Sequence, residues 1–116
     1  MNYNYHVEEG VLFMTFSGDL IGENNGPELL ELVSQQIENN ILLCAIDISN
    51  VRYINSSGIG VLITVLTKFR NKNGELVLVN PSEHVKKLLI ITKLNAIFHV
   101  VDNEKGAISE LKNTGK

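Results

Sequence analysis

The chain has 116 residues, 44% hydrophobic and 20% charged, which is enough apolar material to close one core and too short for two ordinary domains. Ten basic and thirteen acidic side chains leave a net charge of −3, with no concentrated basic stripe, which argues against a nucleic-acid binder held by electrostatics. The composition also excludes disordered, collagen-like and low-complexity chains.

The N-terminal Met1-Asn2-Tyr3-Asn4-Tyr5-His6 lacks the basic start and apolar core of a secretion signal, so a cytoplasmic location is expected. Tyr3, Tyr5 and Val7 alternate with Asn4, His6 and Glu8, the period-two pattern of a half-covered strand, and Glu9-Gly10 supplies a tight turn to a partner strand over residues 11–16. After Ser17-Gly18-Asp19 comes the polar stretch Gly22-Glu23-Asn24-Asn25-Gly26-Pro27. An Asn there can cap a helix, and Pro27 suits its first turn. Leu29, Leu30, Val33 and Ile37 then recur at helical spacing until Asn39-Asn40.

Residues 41–48 form an apolar run broken only by Asp47, which predicts a central strand covered on both faces. Cys44, the only cysteine, lies within it and reads as a small buried hydrophobe. No intrachain disulfide or multi-cysteine zinc site can form. Ser56-Ser57-Gly58 opens a second helix with Ile59, Leu62, Ile63, Leu66 and Phe69 on one face, stopped by Asn73-Gly74. A buried strand over residues 76–79 follows, then a third helix from Pro81-Ser82-Glu83 with Val85, Leu88 and Leu89 inward and Lys86 and Lys87 outward. A last strand is expected over residues 98–101 and a closing helix over 103–112, with 113–116 a flexible tail to a domain spanning 1–112. The order predicts an α/β single domain: a β-hairpin followed by strand-helix units with about four helices on a mixed, mostly parallel sheet. The most apolar stretch, residues 59–66, is interrupted by Gly60 and Thr64 and falls short of the ~20 residues that span a bilayer, so no direct membrane insertion is expected.

The chain offers few convergent catalytic groups. His6, His84 and His99 show no metal-ligand spacing to one another or to Cys44, and Ser57-Gly58-Ile59-Gly60 lacks the third glycine and the lysine of a phosphate loop. Asp47 could end a strand as a phospho-acceptor does, but the acidic pair needed to hold a metal ion is missing, so it reads as a strand-end hydrogen-bond acceptor. No metal or cofactor is expected. What remains is the serine pair at a loop-to-helix junction, where Gly58 and Gly60 leave the first turn open and the helix dipole favours an anion. Ser57 is explained as an N-cap that bonds an N–H two or three positions on. Ser56 is left over and should point outward.

The segment from Asp47 to Leu62 resembles the signature of the STAS domain of bacterial anti-sigma factor antagonists. Asp47, Ser49, Val51, Ile54, Ser56, Ser57, Gly58, Ile59 and Gly60 match its pattern. Gly18-Asp19-Leu20 and Gly74-Glu75-Leu76 extend the resemblance, as does the order of elements over nearly the whole chain. It implies a STAS-like fold and an anti-sigma factor antagonist. In that family an anti-sigma factor that is also a serine kinase phosphorylates the first serine of the pair, here Ser56. A metal-dependent serine phosphatase reverses the reaction. The unmodified form sequesters the anti-sigma factor and frees a sigma factor. The implied phosphosite loop is Asn55, Ser57 and Gly58, and the implied partner face is Asp19, Ile21, Glu23, Asn24 and Ile59.

Two positions depart from the pattern: the family has Asp before the phosphoserine where this chain has Asn55, and an Asp near the position of Ile21 or Glu23. A second reading is therefore a non-phosphorylated STAS scaffold subunit of a lipid transport or stress-signalling complex. A hydrolase using Ser56 is a third, but no motif places a base beside it, and no catalytic residue is assigned.

Overall fold

The computed structural model describes residues 2–22 and 26–114. Its elements are β1 (Asn2–Glu8), β2 (Val11–Leu20), α1 (Gly26–Glu38), β3 (Leu43–Ile54), α2 (Ser56–Arg70), β4 (Glu75–Val79), α3 (Glu83–Ile91), β5 (His99–Val101) and α4 (Glu104–Thr114), with a 3-10 turn at Leu94–Ala96. They form an α/β domain around a five-stranded sheet of order β1-β2-β3-β4-β5. β1 pairs antiparallel with β2, and every later pair is parallel.

The hairpin closes because Glu9 and Gly10 both adopt positive φ, at 54° and 76°, the two-residue turn whose twist suits the strands it joins. From β2 onward each strand is added on the same side of the last. Right-handed crossovers in one constant direction place every connecting helix on one face. Leu12, Met14, Phe16, Cys44, Ile46, Leu76 and Leu78 accordingly share a core with Leu29 and Val33 of α1, Val65 and Phe69 of α2, and Val85 and Leu89 of α3. Alternate residues Val11, Phe13, Ala45, Val77 and Val79 turn to the other face, covered by Ala107 and Leu111 of α4.

Several boundaries differ from those the sequence suggests. β3 runs six residues past Ile48 to Ile54, and the last strand starts at His99, after the buried Phe98. β1 is an edge strand less covered than its alternation implies: Tyr3 packs on Phe16 at 5.7 Å, but Tyr5 and Val7 remain 50% and 43% exposed. α4 continues to Thr114, and Gly115 and Lys116 lie outside the described residues.

Candidate functional site

The longer β3 builds the site. β4 pairs with β3 only as far as Asp47 opposite Val79. Beyond that point β3 pairs with β2 alone, through register shifts around Ser17 and Gly18 that bring Gly18 opposite Val51, Asp19 opposite Tyr53 and Leu20 opposite Ile54. β1 in turn pairs with β2 only as far as Ser17, so from Gly18 and Val51 onward a two-stranded ribbon projects past the C-terminal edge of the sheet and delivers Leu20-Ile21-Gly22 and Asn55-Ser56-Ser57 to one corner. Asp47 marks the last position at which β4 pairs with β3. Its Oδ1 accepts from the Ser49 N–H at 2.9 Å and from Ser49 Oγ at 2.7 Å, an acceptor as read from the sequence but within β3 and not at a strand end.

Asn55 caps α2, correcting the assignment of that task to Ser57. Its backbone is extended (φ −90°, ψ 177°), and its Oδ1 accepts from the Gly58 N–H at 2.8 Å and from Ser57 Oγ at 2.9 Å. Ser57 Oγ in turn accepts from the Gly22 N–H at 3.0 Å. Ser57 is thus a strut between the end of β2 and the helix start, and Asn55 occupies the geometry a capping residue requires. The backbone joins in: Asn55 N–H donates to the Leu20 carbonyl at 3.3 Å. A Cβ on Gly58 would lie 2.1 Å from that carbonyl oxygen, and one on Gly22 would lie 2.4 Å from the Ser57 carbonyl oxygen. Both glycines are needed because backbone meets backbone here.

Ser56, the first residue of α2, is exposed, and among the described residues its hydroxyl takes no part in a hydrogen bond. The first turn of α2 has no acidic residue, so the positive helix end is not offset by a carboxylate of that turn. Around it lie half-buried Ile21 and Ile59. Asp19, also half-buried, pairs with Arg52 at 3.4 Å across the ribbon. Glu23 and Asn24 lie outside the described residues. The sequence reading missed Gly22, Arg52 and the half-exposed Tyr53. Only the β2–β3 register places them at this corner, and no local pattern announces it.

The other candidate groups sit elsewhere. Cys44 is fully buried, and burial pushes its thiol far above the usual range, so it is not a nucleophile. His6 stacks on Phe13 with ring centroids 5.1 Å apart. His99 lies between Glu75 and Glu110 at 4.0 and 3.8 Å, and His84 is exposed. Among the described residues no group of three or more His, Cys, Asp or Glu could hold a metal ion.

The family model of the STAS domain matches residues 2–107. The chain belongs to the STAS domain family. The anti-sigma F factor antagonist of Paenibacillus polymyxa is 25% identical over 114 residues, covering 97% of each chain. The solved structure of TM1081 from Thermotoga maritima superposes with a TM-score of 0.85 at 24% identity, over 93% of this chain and 86% of that one. SpoIIAA of Bacillus in its phosphorylated form superposes with a TM-score of 0.74 at 17% identity, over 94% of this chain and 98% of that one. At such identities the two structures show the fold, and this STAS domain shares it from the hairpin to the closing helix.

Proposed function

We propose that this STAS protein is an anti-sigma factor antagonist switched at Ser56. The observation that supports it most is the contrast between the two serines: Ser57 is held between Asn55 and Gly22, while Ser56, one residue earlier, is exposed at a helix end free of first-turn carboxylates. The names of the relatives point the same way, and SpoIIAA has been solved both with and without phosphate. In this reading Asp19, Ile21 and Ile59, with Glu23 and Asn24, receive an anti-sigma factor that is also a serine kinase, and a sigma factor is freed.

The electrostatics fit a switch. Phosphorylation adds ~1.5–2 negative charges at neutral pH. At Ser56 these would sit at the N-terminal end of α2, where the helix dipole favours an anion, so the fold tolerates them. The cost falls on a partner that must desolvate the anion to dock. A loss of about 3 kcal/mol weakens binding roughly a hundredfold, ample for partner exchange. A metal-dependent serine phosphatase would reset the protein. The chain itself acts by binding and performs no catalytic step.

Asn55 favours the second reading, a STAS scaffold subunit that docks its partner permanently without phosphate. A carboxamide makes the same cap as a carboxylate but brings no charge for a kinase to recognise. One experiment separates the two. The protein is incubated with ATP and extract of its host, partners are captured, and phosphate is mapped by mass spectrometry. Phosphate on Ser56 that vanishes in Ser56→Ala and releases the captured partner supports the switch. An unmodified Ser56 inside a stable complex overturns it in favour of the scaffold.

A further inference from the structure

We infer that the C-terminal turn of α3 is an adsorption surface for an anionic lipid bilayer. Val85 and Leu89 anchor this helix in the core. Its outer face carries Lys86, Lys87, Ile90 and Ile91. Ile90 is 61% and Ile91 77% exposed, the highest values of any large hydrophobic side chain among the described residues. Single exposed aliphatics are ordinary on protein surfaces; here two of them are adjacent, at the end of a helix whose outer face is otherwise basic. Helical spacing sets Ile90 one turn from Lys86 and Lys87, and Ile91 one turn from Lys87. Exposed Lys93 follows just past the Thr92 cap, and Ile97 and Val100, 39% and 40% exposed, lie on the segment leading away. The only acid on the helix is Glu83, which pairs with Lys86 at 3.6 Å.

Charge selects the occupant. Lys86, Lys87 and Lys93 fall within eight positions of a chain whose net charge is −3, so this corner is positive against a negative remainder. A second copy docked on the same face would set lysines against lysines. A stable protein partner would need a patch of about 800 Å² on each side, whereas the exposed aliphatics here are Ile90 and Ile91 at one helix end with the less exposed Ile97 and Val100 beyond. An anionic bilayer asks for less: aliphatic tips that dip to the acyl boundary, and lysines that lay their stems along it with their ammonium groups at the phosphates. This is adsorption, not spanning; no described helix is long and apolar enough to cross a membrane.

The fold keeps the adsorbed corner away from Ser56. Ser82 Oγ donates to the Val51 carbonyl at 3.1 Å, so α3 starts at the same end of the sheet as the Asn55 corner. Running antiparallel to the strands for nine residues, or ~13 Å, it brings Ile90 and Ile91 toward the opposite end. The inference is independent of the proposed switch and stands or falls separately.

The test is co-sedimentation of the full chain with vesicles of phosphatidylcholine alone and of phosphatidylcholine mixed with phosphatidylglycerol. Binding is expected to the anionic vesicles only, weakened by salt. Lys86→Gln and Lys87→Gln should each lower partitioning about fivefold. Ile91→Glu should abolish it with the thermal midpoint retained, since the side chain is exposed. No binding to anionic vesicles, or equal binding by Ile91→Glu, overturns the proposal. So does concentration-dependent dimerisation lost in Ile91→Glu, which would assign the face to a second copy. Capture of an acidic protein through Ile91 without vesicle binding would also overturn it.

Discussion

The starts of α2 and α3 lie at the same end of the sheet but are built differently. α3 begins with Ser82, which accepts from the Val85 N–H at 3.4 Å and donates to the Val51 carbonyl, and Glu83 supplies a carboxylate in the first turn. That terminus is capped and charge-compensated. α2 begins with a cap tied to another strand but no acidic residue in its first turn, and its leading hydroxyl faces outward. One end is finished for stability, whereas the other is fixed in place yet electrostatically open. The start of α2 thus has two separable parts: a rigid frame, and one side chain, Ser56, left outside it.

Breaking the frame should produce the largest effect. Gly58→Ala forces a methyl group against the Leu20 carbonyl oxygen and is expected to cost about 3 kcal/mol or more in chemical denaturation. Gly60→Ala on the same helix is the counterpart: it is exposed with nothing within 4 Å, and should stabilise by about 0.5–1 kcal/mol. Similar losses for both would show that the β2–α2 contact is looser than described.

The caps come next. Asn55→Ala should cost about 2 kcal/mol and Ser82→Ala about 1 kcal/mol, because Asn55 holds both the Gly58 N–H and the Ser57 strut. Asn55→Asp can accept the same two bonds and should match or exceed the wild type in stability. A thermal melt in which Asp behaves like Ala would exclude the capping role. The smallest shift should come from Ser56→Asp, about 0.5 kcal/mol in the stabilising direction, since a carboxylate would meet an uncompensated helix end. If the same substitution destabilised the protein, the open end of α2 would be no different from that of α3.

Much of this architecture can be read directly from the residues. Period-two alternation at Tyr3, Tyr5 and Val7 marked the edge hairpin, and the apolar run through Cys44 marked a strand buried on both faces. Helical spacing located each helix to within a few residues. What escaped depends on residues far apart in the chain. Asn55, Ser56 and Ser57 are all acceptable capping types, and the choice among them is made by Leu20 and Gly22, more than thirty positions earlier. The continuation of β3 beyond Ile48 was missed because Ser49 and Asn50 are polar and break the buried-strand pattern; pairing with the second half of β2 keeps them extended. The outward Lys86 and Lys87 of α3 are legible in the sequence, and Ile90 and Ile91, one turn further on, fall outside the Val85, Leu88 and Leu89 stripe and are exposed with them.

The turn at Glu9 and Gly10 bears on the order in which the chain assembles. β1 and β2 are separated by two residues, so their pairing closes a minimal loop and needs nothing from the rest of the molecule. Every parallel pair must wait for a chain segment that includes a helix to fold back, at a larger entropic cost. The hairpin can therefore be present while β3 is still searching for its register, and it then offers the free edge of β2 as a ready template for the strand that delivers Ser56.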